Sequence, residues 1–163
     1  MSRYEEGLKL IEERCGNGKD NTITLATIAM EPSSNGSPRP YARDLDAFYE
    51  DGVFYVTTWA KSTKIQQIAK NNEVAFTVCS EWISGNGIGE NLGWVLDPKN
   101  AELRTKLRNA FSFWYDSANN EADENCIILA IRITRATVIK DHGAVRYNMD
   151  FVNKVETEEG IIK

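Results

Sequence analysis

The sequence predicts a mainly β, α+β chain: a closed or nearly closed antiparallel barrel with helices packed outside it. Three observations carry this. Short β-branched, alternating runs recur along the chain, the pattern of half-buried strands. Turn pairs such as Asn35-Gly36 and Asp51-Gly52 separate neighbouring runs and connect strands as hairpins. Helical segments are few, and the order α-β-β-β-α-β-β-α-β(β) lacks the βαβ rhythm of a parallel, doubly wound sheet.

Residues 3–15 read as a helix with Leu8, Ile11 and Cys15 on one stripe, ended by Gly16-Asn17-Gly18, since glycine tolerates the left-handed conformation past a helix end. Residues 22–30 alternate as a strand, 32–38 are turn chemistry, 39–49 return as a second strand, and 53–58 form a third after Asp51-Gly52. A helix over 62–70 puts Ile65, Ile68 and Ala69 on one face, and Asn71-Asn72 stops it. Residues 73–80 are a fourth strand, with Cys79 expected as a small buried hydrophobe. The stretch 83–95 carries Gly85, Gly87, Gly89 and Gly93 and is read as a loop leading into a twisted or bulged strand. It lacks the strand-then-helix context of a dinucleotide-binding glycine motif. Asp97-Pro98 starts a helix to about residue 115, whose Leu103, Leu107, Ala110, Phe111 and Trp114 suit a core face better than a cofactor box. Residues 118–125 are a polar surface loop or a turn of helix. Residues 126–134 are the strongest strand, continued past a bend over 136–140, and 153–163 read as a tail, frayed or docked on a partner.

At 163 residues the chain is expected to form one domain over 1–163, and a domain of that size buries roughly 70% of its unfolded surface. Nineteen Lys and Arg against 24 Asp and Glu leave a formal charge of −5, which argues against a general nucleic-acid binder. Three scattered cysteines, no C-x-x-C and a single histidine, His142, give no Cys/His metal spacing. No apolar run approaches the ~18 residues of a membrane span, and the start lacks a signal-peptide pattern. A reducing cytoplasm is the expected compartment.

On this acidic chain, Thr57-Thr58-Trp59-Ala60-Lys61-Ser62-Thr63-Lys64 opens a helix just downstream of Arg39 and Arg43. Free N–H groups at a helix start favour an anion, Arg adds a planar fork and Lys a point charge. Taken alone, the helix could have Ser62 as a cap and solvated lysines; with the hairpin beside it, the block favours a phosphate dianion on a small ligand.

The order of these pieces resembles the FMN-binding split-barrel family typified by pyridoxamine 5′-phosphate oxidase. They stand as Leu25-Ala26-Thr27-Ile28-Ala29, Asn35-Gly36-Ser37-Pro38-Arg39-Pro40, Asp51-Gly52 with the strand to Thr58, Lys61-Ser62-Thr63-Lys64-Ile65-Gln66-Gln67-Ile68, and Asn71-Asn72-Glu73-Val74-Ala75-Phe76. The resemblance covers roughly residues 20 to 140 and implies a flavin oxidoreductase, FMN as cofactor, and a homodimer with the cofactor at the subunit interface. It implies a phosphate held by Arg43 (or Arg39), Ser62 and Lys64. Thr57, Thr58 and Trp59 would border the flavin ring, and the backbone of Tyr41, Ala42, Arg43 and Asp44 would face its polar edge. The Arg-Leu-His element of true pyridoxamine phosphate oxidases is absent; the chain has only His142-Gly143-Ala144-Val145-Arg146, so a different small-molecule substrate is implied. The four tryptophans are pocket walls, core or interface, and His142 a proton donor or an exposed bystander. Rival readings are a non-catalytic flavin or related-cofactor carrier or sensor, a barrel holding haem or a deazaflavin, and a structural dimer without cofactor.

Overall fold

A computed structural model describes residues 1–157. Helix α1 (Arg3–Cys15) starts from a capping box in which Ser2 and Glu5 satisfy each other's backbone N–H groups. Strands β1 (Asn21–Ile28), β2 (Pro40–Glu50) and β3 (Val53–Trp59) follow, then α2 (Thr63–Lys70), β4 (Glu73–Val78) and β5 (Ile83–Trp94). A 3-10 turn (Pro98–Asn100) leads into α3 (Ala101–Ala110) and the single turn α4 (Tyr115–Ala118). Strands β6 (Cys126–Lys140), β7 (Val145–Asp150) and β8 (Val155–Glu156) end the described chain.

All neighbouring strands run antiparallel in the order β3-β2-β1-β4-β5-β6-β7-β8, and a further β3–β6 ladder closes six of them into a barrel. The fifteen-residue β6 makes closure possible. Its first half pairs with β3, from Trp59↔Cys126 to Val53↔Arg132. Its second half, from Arg135 to Lys140, pairs instead with β7. The barrel therefore splits along β6, with β7 and β8 continuing the sheet beyond it.

Both faces of β6 are covered over 126–131, which explains the unbroken apolar run there. Ile127, Leu129, Ile131 and Ile133 point into the barrel core with Leu25, Phe54 and Phe76. Cys126 and Ile128 belong to an outer cluster with Phe48, Val95, Leu107, Phe111 and Tyr115. That outer cluster seats α3 and α4 as an arm against the barrel wall. Trp114 reaches beyond it: its indole N–H donates to Asp20 at 2.8 Å, and Asp20 lies beside Asp46 of β2.

Several expectations are corrected. Residues 83–94 form one strand paired along β4 and β6, with register shifts after Asn86 and Asn91, so no loop precedes the bulges. At Gly85 a Cβ would lie 2.1 Å from the carbonyl oxygen of Arg135, so the shift in register needs a residue without a side chain. The helix expected over 97–115 is broken between Ala110 and Tyr115. The break lets Phe111 and Tyr115 both enter the outer cluster while Trp114 turns to Asp20. Strand β6 is continuous over 126–140 but bulges at Thr134, since Asn86 faces Arg135 while Gly87 faces Ile133, in keeping with the expected bend. Cys79 is exposed, because alternation puts Val78 inside and its neighbour out. On α2, Gln67 takes the buried place expected of Ala69, which is exposed. Of the expected tail, residues 153–157 turn back to form β8, and 158–163 lie outside the described residues. The hairpin at Asp51-Gly52 has both residues at positive φ, 48° and 80°, as a tight two-residue turn requires.

Two outcomes are expected. Gly85→Ala should lower stability by about 1–3 kcal/mol, read as a shifted urea midpoint; an unchanged midpoint would show that β5 can move away from β6. The Asp46 carboxyl is pushed up to about 6 from 3.8 by partial burial, then by the hydrogen bond and charge of Asp20. A raised carboxyl stabilises the fold in its protonated form. That contribution is complete below the unfolded value near 3.8 and is lost as pH rises through about 6. Asp46→Asn should flatten this limb of the stability–pH profile between pH 4 and 6.

Candidate functional site

The barrel wall opens between β2 and β3. These strands pair over only three positions, Phe48↔Tyr55, Tyr49↔Phe54 and Glu50↔Val53. Beyond them β2 pairs only with β1, and β3 only with β6. A wedge is left whose two sides are the strand edges at 40–47 and 56–59, and α2 begins where β3 ends. Backbone groups on these facing edges have no strand partner among the described residues.

Arg43 and Lys64 come together beside this wedge. Period-two alternation puts Arg43 on the same face of β2 as Tyr41, and its guanidinium lies 4.8 Å from the Tyr41 ring centre. It donates to Thr27 Oγ1 at 2.7 Å, to Gln67 Oε1 at 2.8 Å, and more distantly to the carbonyls of Tyr41 and Leu25. Lys64 Nζ turns back over the start of α2, donating to Thr58 Oγ1 at 2.7 Å and Ser62 Oγ at 3.4 Å. Every one of these acceptors is neutral. Among the described residues neither cation has a carboxylate partner. Burial lowers the pKa of both groups, and the charge of Arg43 lowers that of Lys64 further. Two half-buried like charges close enough to repel, with no counter-ion, form a site short of negative charge.

Other expected residues divide. Ser62 stands at the N-cap of α2, but its hydroxyl caps nothing and receives the Lys64 ammonium instead. The first-turn N–H groups are thereby left without a side-chain acceptor. Thr58 is the second oxygen on Lys64, and the Thr57 hydroxyl is buried without a hydrogen-bond partner. Tyr41 and Trp59 are about half exposed, at 51% and 52%, and line the two sides of the wedge mouth. Ala42 and Asp44 face the other way; Asp44 accepts from Thr24 at 2.6 Å, so only their backbone borders the opening. Arg39 is not brought in: it donates to Pro32 O at 2.7 Å within the β1–β2 connection. His142 sits exposed in the β6–β7 turn.

Sequence reasoning missed Gln67 and Thr27. Gln67 is buried and its amide oxygen accepts from both Arg43 and Thr27, so it fixes the guanidinium in place. The signal was its position one helical turn after Lys64 and beside Ile68, on the inward face. Among the described residues no cluster of His, Cys, Asp and Glu could hold a metal, and no helix is long and apolar enough to cross a membrane.

No protein-family model matches the sequence, and no curated protein matches it. Solved structures do. General stress protein 26 from Bacillus anthracis is 21% identical, with 83% of this chain and 92% of that one covered at a TM-score of 0.56. A protein from Clostridium acetobutylicum, related to general stress protein 26 and described as of the pyridoxinephosphate oxidase family, is 14% identical. The match covers 94% of this chain and 99% of that one at a TM-score of 0.60. A haem-binding protein from Mycobacterium smegmatis is 12% identical, with 92% of this chain and 58% of that one covered at 0.62. An FAD-binding protein from Mesorhizobium loti and an F420 reductase also match, at 18% and 19% identity. Likeness at this level of identity speaks for architecture: this chain has the split-barrel fold of the pyridoxamine 5′-phosphate oxidase-like proteins.

Proposed function

We propose that this chain belongs to the pyridoxamine 5′-phosphate oxidase-like family, binds FMN, and serves as an FMN-dependent oxidoreductase acting on a small molecule. The single observation that carries the reading is the Arg43–Lys64 pair, two converging cations whose partners are all neutral. A terminal phosphate supplies the missing charge, and the uncapped start of α2 adds N–H donors to it. Gln67 and Thr27 hold Arg43 in position before any ligand arrives. The open edges of β2 and β3 suit the polar rim of a flat ring. Bound flavin would supply hydride or electron transfer, and the protein binds and orients it.

The half-exposed Tyr41 and Trp59 at the wedge mouth support a homodimer in which a second copy covers the ring. Three free cysteines suit a reducing, cytoplasmic setting. FAD-binding, F420-reducing and haem-binding neighbours make cofactor identity a matter for measurement. A second reading, a flavin carrier or sensor without turnover, is favoured by one observation: the wedge presents cations, hydroxyls and amides, with no histidine among them.

Freshly purified protein should be yellow and should release FMN on denaturation. Reduction by nicotinamide dinucleotides in stopped flow separates an enzyme from a carrier, and a Soret band would replace the flavin reading with haem. Losing one charge-assisted contact costs about 1.5–3 kcal/mol, so Lys64→Ala and Arg43→Ala should each weaken FMN binding by roughly 10- to 150-fold. The double variant should lose flavin with its circular dichroism unchanged. Undiminished FMN affinity in that variant would reject the phosphate site.

A further inference from the structure

A second cavity adjoins the cation pair. It is a cleft of about 400 Å³ between the end of β3 and the segment from Trp114 to Cys126. Trp59 and Trp114 both line it. The indole N–H of Trp114 donates to Asp20, and its ring stacks on Phe111 at 4.7 Å between ring centres. Trp59 is half exposed beside Asp123. The two indoles offer ring surface to the cleft. Asn119 and Asn120 spend part of their capacity locally, on Tyr115 O and on the N–H of Ala122. Thr57 adds a buried hydroxyl without a hydrogen-bond partner.

The charge of this cleft is opposite to that of its neighbour. Among the described residues Asp123 is the only charged side chain lining it. The backbone and side-chain N–H groups of Asn125 both donate to that carboxylate, at 2.9 and 3.0 Å, and hold its pKa below the usual range. Thr58 is the boundary: it lines the cleft and also accepts from Lys64. An anion is thus favoured on one side of Thr58 and disfavoured on the other.

We infer that the cleft is a second ligand site, taking a planar heteroaromatic ring, neutral or cationic, that lies against Trp59 and Trp114 with a polar edge toward Thr57. Indole faces attract flat rings, and attract cationic ones more strongly through their quadrupole. Asp123 adds the same preference. This goes beyond the flavin reading, because it concerns a second molecule beside the anion site.

The test is isothermal calorimetry on the purified full-length chain with whatever cofactor it carries. Three probes share one ring and differ in charge: 1-methylnicotinamide (cation), nicotinamide (neutral) and nicotinate (anion). The first two should bind, with nicotinate at least tenfold weaker. Trp114→Ala should weaken binding of 1-methylnicotinamide at least tenfold. Because Trp114 also packs on Phe111 and that variant could fail to fold, Ala118→Phe serves as a second. Ala118 is exposed and lines the cleft, so the added ring fills it without removing packing, and probe binding should disappear with flavin content unchanged. Absence of binding by all three probes, or binding undisturbed by Ala118→Phe, would overturn the inference. Expulsion of flavin by Ala118→Phe would do so too, by assigning the cleft to the flavin ring. A chain purified without flavin that still binds the probes would reject the FMN reading alone.

Discussion

Closure of the barrel by β3 against β6 is the constraint on which the remaining structure depends. Seven consecutive register pairs commit β3 to β6 along its whole length. Strand β2 stays with β1 over eight. On their facing edges β2 and β3 meet at three positions, all next to the Asp51-Gly52 hairpin. Beyond these the two strands diverge, and the opening lies between them. It requires no flexible loop, and its walls are as rigid as the sheet itself. Side chains held there keep their geometry without a ligand, which is the condition for binding without a large ordering cost.

Electrostatics give this opening its character. A chain of net charge −5 has many carboxylates, and its exposed cations largely find them: Arg104 and Arg108 both pair with Glu121, and Lys106 with Glu50. Arg43 and Lys64 are different. They are half-buried, they repel each other, and among the described residues amide, hydroxyl and carbonyl oxygens are their only partners. Such an arrangement lowers the stability of the free protein, and a bound anion reverses the loss. Gln67 resolves the geometry: a neutral amide oxygen orients the guanidinium without cancelling its charge, as a carboxylate at the same place would.

Much of this was legible in the sequence because it is local. Alternation and turn residues located β1 to β4, and the glycine-rich stretch announced an irregular strand. The block from Thr57 to Lys64, with Arg43 upstream, located the cation pair. What was not legible depends on partners distant in sequence. Gly85 and its neighbours looked like a loop because small residues are common to loops and to strands crowded by another backbone; only the Arg135 carbonyl distinguishes them. Cys79 was placed inside because hydrophobicity was weighed above alternation. Arg39 and Arg43 lie four residues apart and would share a face of a strand begun at 39; β2 begins at Pro40, and Arg39 donates to Pro32 in the connection before it. Gln67 was passed over because a polar residue on a short helix is ordinarily solvated, and its burial follows from the meeting of α2 with β1 and Arg43. The break before Tyr115 was invisible for a similar reason, since Phe111, Trp114 and Tyr115 keep helical spacing while answering to different neighbours.

The divergence of β2 from β3 has a further consequence. Among the described residues it leaves two strand edges facing each other without a strand partner, each long enough to template a stray extended segment from a neighbouring polypeptide. Elsewhere the sheet is guarded, since barrel closure removes one margin and β8 shields part of the other. A small molecule lodged in the gap would then also cover an edge that could recruit a foreign strand.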